Sequence, residues 1–174
     1  KTPKPGKGSG EKIPADKVAQ FVPLAKIADW RRKLDDSWDQ APFTLDGKRW
    51  MSVEHYYQGA KFRKGFPDFR DQFAMDSDSD ISKDVELAKL AGSKTGKKKG
   101  DKIIRPKSVV ADADFYGQKR NEQERETAVR AKFAQNIDLK ELLKLTRPAK
   151  LLHFIRGSEP ETDKIIMTVR NELE

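Results

Sequence analysis

The run Ser52-Val-Glu54-His55-Tyr-Tyr57-Gln58-Gly-Ala-Lys61-Phe62 brings together side chains able to do chemistry. On a helix each residue turns by about 100°, so residues seven apart point in nearly the same direction. Glu54, Gln58 and Lys61 then form one polar stripe, with Val53, Tyr57 and Ala60 along its buried edge and Arg49, Trp50 and Tyr56 nearby. A carboxylate so placed can stabilise developing positive charge or activate water, and a lysine of lowered pKa can act as a nucleophile. The ordinary reading stands beside this one, since Glu is common in a first helical turn and Lys is usually solvated. His55 and His153 each sit among aromatic or apolar neighbours. Both read as hydrogen-bonded structural residues, because no Ser–His–Asp set accompanies them and the spacings of a zinc site are missing.

Other motifs fail on detail. Asp76-Ser-Asp-Ser-Asp80 begins like a calcium loop, but it lacks the glycine at loop position 6 and has Leu87 where the bidentate Glu belongs. Gly92-Ser-Lys-Thr-Gly96-Lys-Lys98 resembles a phosphate loop with one residue too few and no Ser or Thr after the lysine. It reads as a solvated basic loop. No metal and no cofactor is implied.

Bulk properties narrow the partners. The 174 residues suit one domain, and 36% hydrophobic against 37% charged residues still leaves a core, because the aromatics cluster mid-chain. Absence of cysteine excludes disulfides, thiolate metal sites and a cysteine nucleophile. A net charge of +8 favours anionic partners such as nucleic acid or nucleotides. No apolar run approaches the roughly 20 residues needed to span a bilayer, so no membrane partner is expected and the location reads as intracellular, cytoplasmic or nuclear.

The positioning elements follow from periodicity and punctuation. Residues 1–20 read as a flexible basic tail and residues 21–174 as one domain. A helix is expected over 25–34, presenting Ile27, Trp30 and Leu34. Asp46-Gly47 between two short runs predicts a hairpin. Ser52 then caps the helix carrying Glu54, which should run to about 64 and stop at Gly65 and Pro67. A further helix starts at Ser79 or Ser82 and turns Val85, Leu87, Ala88 and Leu90 inward. Helices are expected over 121–135, with Ala128, Val129, Lys132 and Phe133 inward, over 139–145, and over 161–173, with Ile165, Ile166, Val169 and Leu173 inward. A short strand is expected over 151–155. The sum is an α+β fold, mainly helical with a few short strands.

Residues 47–62 closely resemble the signature of the NADAR family of N-glycosidases. The likeness continues through Arg105-Pro106, residues 131–136, residues 142–151 and Ile166-Met-Thr-Val-Arg170. It implies hydrolysis of a bond between an amino nitrogen and a ribosyl carbon, in phosphoribosylated riboflavin-pathway intermediates or in ADP-ribose attached to guanine. By that likeness Glu54 is the catalytic carboxylate and Lys61 the lysine of the same helix, with Lys132 the competing lysine. Arg49, Trp50, Tyr57 and Gln58 surround the substrate, and Arg105 suits a pyrophosphate.

Two departures bear on the substrate. Many members carry Asp-Trp where this chain has Asp114-Phe115, so stacking would pass to Phe115 or Tyr116. Their C-terminal Asp and Trp-Gly segment is replaced here by a shorter stretch containing Arg156. Arg156 then becomes the phosphate ligand, with Asp163 the alternative for the third position. These changes favour removal of ADP-ribose from nucleic acid or a nucleotide over riboflavin-pathway chemistry, the Lys-rich tail and loop helping to hold a polymer. A non-catalytic ADP-ribose or NAD-binding module is the competing class, and a nucleic-acid-binding domain without a sugar site is the third.

Overall fold

A computed structural model describes residues 10–12, 22–94, 96, 98–153, 159 and 161–173. In chain order the elements are β1 (Gly10–Lys12), α1 (Val22–Ala25), α2 (Trp30–Leu34), β2 (Phe43–Leu45), β3 (Lys48–Trp50), α3 (Val53–Ala60), α4 (Pro67–Asp71), α5 (Asp80–Lys83) and α6 (Val85–Gly92). They continue with β4 (Lys98–Lys99), β5 (Lys102–Ile103), α7 (Arg120–Gln135), α8 (Ile137–Leu145), β6 (Lys150–His153), β7 (Glu161–Thr162) and α9 (Lys164–Glu172). This is the expected α+β class, mainly helical with short strands. No helix among the described residues is long and apolar enough to cross a membrane.

The chain divides into two compact units, residues 39–132 and the segments on either side of them. In the first unit, Asp46 and Gly47 both take positive φ, 54° and 74°. They close the β2–β3 hairpin as their sequence demands. Phe43 and Trp50 lie directly opposite each other and are buried. The Asp46 carboxylate ties this turn to two further elements, accepting from the Tyr56 hydroxyl at 2.7 Å, Arg70 at 2.8 Å and Arg63 at 3.1 Å. Burial would raise its carboxyl, but those donors outweigh it and hold the group below its ordinary range. The rings of Phe62, Phe69 and Phe73 meet at 4.8–5.9 Å between centroids and fill the core beneath α3 and α4.

Where the sequence predicts one helix from Ser79 onward, there are two. Ser79 caps α5 by accepting from the Ser82 backbone, and Asp84 then caps α6, accepting from the Glu86 and Leu87 backbones. A second capping side chain five residues after the first restarts the helix, and α6 packs against α3. Val85 and Ala88 are buried as expected, whereas Leu87 and Leu90 are half-exposed. Asp76 accepts from the Arg49 backbone N–H at 2.8 Å, and Asp78 pairs with Lys83 at 2.9 Å.

In the flanking unit the helix expected over 25–34 is two short ones. Asp29, at φ 55°, breaks the path before Trp30, and Trp30 and Leu34 are buried. β1 pairs antiparallel with β6, within the segment read as tail, and β6 pairs with β7. Residues 161–162 therefore belong to a strand, and the last helix starts later than expected, at Lys164. Asp163 caps it, accepting from the Ile166 backbone at 3.1 Å. Ile166 and Val169 are buried, while Ile165 and Leu173 are half-exposed. Ala128, Val129, Lys132 and Phe133 of α7 are all buried, as their spacing requires.

Candidate active site

The site is built from α3 upward. Ser52 caps the helix: its hydroxyl accepts from the His55 backbone N–H at 3.1 Å and lies 2.8 Å from His55 Nδ1. His55 Nε2 sits 2.8 Å from the Ile81 carbonyl, which can only accept. The proton therefore belongs on Nε2, and Nδ1 accepts a hydrogen bond from the Ser52 hydroxyl. Burial lowers the imidazole pKa and keeps the ring neutral. His55 thus locks α3 to α5 and has no free ring nitrogen for catalysis, in line with the structural reading of the sequence.

The stripe Glu54–Gln58–Lys61 forms as the helical spacing dictates. Gln58 Nε2 donates to Glu54 Oε1 at 2.7 Å, which fixes the carboxylate. One turn on, the Lys61 amine donates to the Gly92 carbonyl at 3.0 Å, at the C-terminal end of α6, where the helix dipole favours a cation. Lys61 is only 7% exposed. Burial lowers its pKa; the charge of Glu54 opposes this, and Arg105 adds to it. Tyr57 and Phe115 present ring faces to the amine at 5.7 and 5.9 Å. A half-buried carboxylate beside a buried amine of lowered pKa is an arrangement suited to covalent or acid–base chemistry.

Gly92 makes the arrangement possible, and nothing in its sequence surroundings marks it for that part. A Cβ there would lie 2.0 Å from Gln58 Oε1. The bare α-carbon thus lets Gln58 reach Glu54 while the same residue's carbonyl holds Lys61. Asp112 and Arg120 are the other groups that sequence reasoning misses. The Asp112 backbone N–H donates to the Lys61 carbonyl at 2.6 Å, and its carboxylate accepts from the Lys64 and Gly65 backbones. Arg120 binds that carboxylate at 2.9 Å and the Ala60 carbonyl at 2.8 Å. Together they satisfy the carbonyls left open at the end of α3, directly beneath Lys61.

The residues expected to hold substrate separate into two groups. Tyr57 is half-buried beside the amine, and Tyr116 is 64% exposed with its ring edge-on to Phe115 at 5.0 Å. Gln58 acts on Glu54 rather than outward. Three expectations need correction. Trp50 is fully buried and donates its indole N–H to the Leu45 carbonyl at 2.8 Å, so it supports the hairpin. Phe115 is fully buried between Tyr57 and Tyr116, and of Phe115 and Tyr116 the latter carries the exposed ring. Arg105 is buried, with Nη1 donating to the Ala91 carbonyl at 2.7 Å and Nε unpaired, so its first duty is to the end of α6. Asp114 pairs with Lys64 and, at 2.7 Å, with Arg120, which anchors the 112–120 segment. The Arg49 side chain is exposed on β3. Lys132 is buried on α7 and Asp163 is committed as a helix cap. Arg156 lies outside the described residues.

No family model matches the sequence, and no curated protein matches it. Among solved structures the chain is similar to the NMR structure of the Escherichia coli protein YbiA. The TM-score is 0.59 at 23% sequence identity, over 85% of this chain and 80% of that one. The likeness is one of fold, and that fold is the mainly helical α+β class that the sequence leads one to expect.

Proposed function

We propose that the chain is an N-glycosidase that hydrolyses the bond between an ADP-ribosyl group and an amino nitrogen, reversing ADP-ribosylation of guanine in nucleic acid. The observation that carries this reading is the Lys61 amine, buried with a lowered pKa, about two helical turns beyond the Glu54 carboxylate held by Gln58. Cleaving a glycosyl–nitrogen bond builds positive charge at the anomeric carbon, which Glu54 stabilises. With an exocyclic nitrogen the ribose ring opens to an imine. The neutral Lys61 amine adds to its carbon, and the base leaves as a free amine, taking up a proton as it departs. That leaves a lysine Schiff base. Water adds to it, the carbon–lysine bond breaks, and the freed aldehyde recloses as ADP-ribose while Lys61 is regenerated. The net reaction consumes one water and needs no redox partner.

Tyr116 supports the reading by offering an exposed ring for the base or the adenine. The test incubates the protein and its Glu54→Ala variant with an oligonucleotide bearing ADP-ribose on guanine, and follows free ADP-ribose by mass spectrometry. Release by the wild type alone is expected, with a borohydride-trapped adduct on Lys61. Release by neither would remove this substrate, and small riboside phosphates would be tried next. Tight ADP-ribose binding unchanged by Glu54→Ala, with nothing released, would make the chain a binding module instead.

A further inference from the structure

Residues 93–107 carry seven of the chain's Lys and Arg residues against a single Asp. The net charge of this one short segment is therefore +6, and residues 98–103 within it form a hairpin. Gly100, at φ 60°, supplies the positive φ that a two-residue turn requires at its first position, and β4 pairs with β5 as Lys98↔Ile103 and Lys99↔Lys102. Both strands are exposed, and Ile103 is 62% exposed.

Two features separate this hairpin from an ordinary solvated loop. The first is its attachment. Before it in sequence stands Gly92, whose carbonyl holds the Lys61 amine, and two residues after it stands Arg105, which is bonded to the Ala91 carbonyl. Gly96 lies so close to the end of α6 that a Cβ would fall 1.7 Å from the Leu90 carbonyl. Gly96 and Arg105, on either side of the hairpin, are thus both held against the end of α6, whose Gly92 carbonyl accepts from the Lys61 amine. The second is its internal electrostatics. Lys99 and Lys102 stand directly opposite each other, and like charges in that position destabilise a strand pair. Asp80 offsets Lys102 at 2.7 Å, but no ion pair joins Lys94, Lys98 or Lys99 among the described residues. An anion bound along the hairpin would relieve that repulsion.

We infer that the hairpin docks the sugar–phosphate backbone of a single-stranded nucleic acid. A polyanion with regularly spaced phosphates matches several lysines along an exposed ribbon, and Ile103 offers an apolar contact to an unstacked base. The single strand follows from the burial of Lys61, which a base inside a duplex cannot reach. That last step rests on the N-glycosidase reading, whereas the binding itself does not.

The experiment measures anisotropy of a labelled, unmodified single strand of about 12 nucleotides, within the usual range of site sizes. It compares the full chain, a Lys94→Gln/Lys98→Gln/Lys99→Gln variant and a Lys1→Gln/Lys4→Gln/Lys7→Gln variant over a salt series. The hairpin variant should bind about tenfold more weakly, with a salt slope shallower by about 2, since each single-strand phosphate contact contributes about 0.7. The tail variant should lose less. Unchanged binding in the hairpin variant, or a loss confined to the tail variant, would overturn the inference. A second arm follows release of ADP-ribose from a modified mononucleotide and from a modified oligonucleotide. The hairpin variant should match wild type on the first and show a raised KM on the second. If wild type releases nothing from either, the glycosidase reading fails while the anisotropy result still decides the hairpin.

Discussion

Lys61 and Arg170 are both buried cations that donate to backbone carbonyls, one in each unit of the chain. Arg170 directs Nη1 at the Thr146 carbonyl at 3.3 Å, the Thr146 hydroxyl at 3.0 Å and the Ala149 carbonyl at 2.8 Å. Arg147 closes the ring of contacts from the other side, donating to the Arg170 and Leu173 carbonyls. Lys61 has the Gly92 carbonyl and two aromatic faces. Burial lowers the pKa of both groups. An arginine so treated stays charged, and its fixed fork turns the burial into a clamp between the turn after α8 and α9. A lysine can release its proton, so the same burial yields an amine able to attack carbon. Under the proposed function one cation serves the fold and the other serves chemistry, and the side chain decides which.

The largest expected effects come from exchanging each for methionine. Lys61→Met should abolish turnover, by about a thousandfold or more in kcat. Its stability should change by about 1 kcal/mol or less, because removing a poorly solvated cation offsets the lost hydrogen bond. Arg170→Met should do the reverse. Leaving the Thr146 and Ala149 carbonyls unpaired should cost about 2–4 kcal/mol in urea denaturation, while the folded fraction keeps near-normal turnover. If Lys61→Met destabilises as much as Arg170→Met, the comparison breaks and Lys61 is another structural clamp.

The same contrast explains which features are legible in the sequence. The stripe of Glu54, Gln58 and Lys61, the Ser52 cap and the Asp46-Gly47 turn are local: each depends on residues within two helical turns, and periodicity reports such geometry. Thr146 and Arg170 stand out in the sequence only as parts of a resemblance, because a bond between residues 24 apart leaves no periodic trace. Gly92, Asp112 and Arg120 escape sequence reasoning for that reason. Gly92 sits within a failed phosphate-loop motif, and its importance emerges only where α6 lies against α3. Trp50 and Phe115 mislead in the opposite direction. An aromatic ring next to a reactive stripe looks the same in sequence whether it faces substrate or the core.

Gly92→Ala sharpens the comparison by disturbing Lys61's surroundings without touching Lys61. The added methyl falls 2.0 Å from Gln58 Oε1, so Gln58 must move and Glu54 loses its amide partner. Turnover should fall by about ten- to a hundredfold in kcat with little change in KM, the signature of a lost transition-state interaction. Stability should drop by about 1–2 kcal/mol, as for other overpacked contacts. Combining it with Gln58→Ala removes the clash, so the double variant should regain the lost stability yet stay impaired in turnover. Recovery of both would mean that Gln58 is only a space-filling neighbour.

The smallest effect is also the most direct measure of the difference between the two cations. In the unfolded chain Lys61 titrates near 10.5, and in the folded chain burial places it lower. Between those two values the unfolded chain holds more protons, so raising the pH through that window favours the folded state. Below the folded pKa, the full cost of burying the charge is present. Wild type should therefore gain stability relative to Lys61→Met as pH rises through the folded pKa toward 10.5, provided each is measured by denaturation in the same buffers. Arg170 contributes nothing to such a slope, because its guanidinium stays protonated throughout the range. A stability difference between wild type and Lys61→Met that is flat with pH would mean the amine keeps its proton like Arg170, and a lysine that cannot become neutral cannot form the Schiff base.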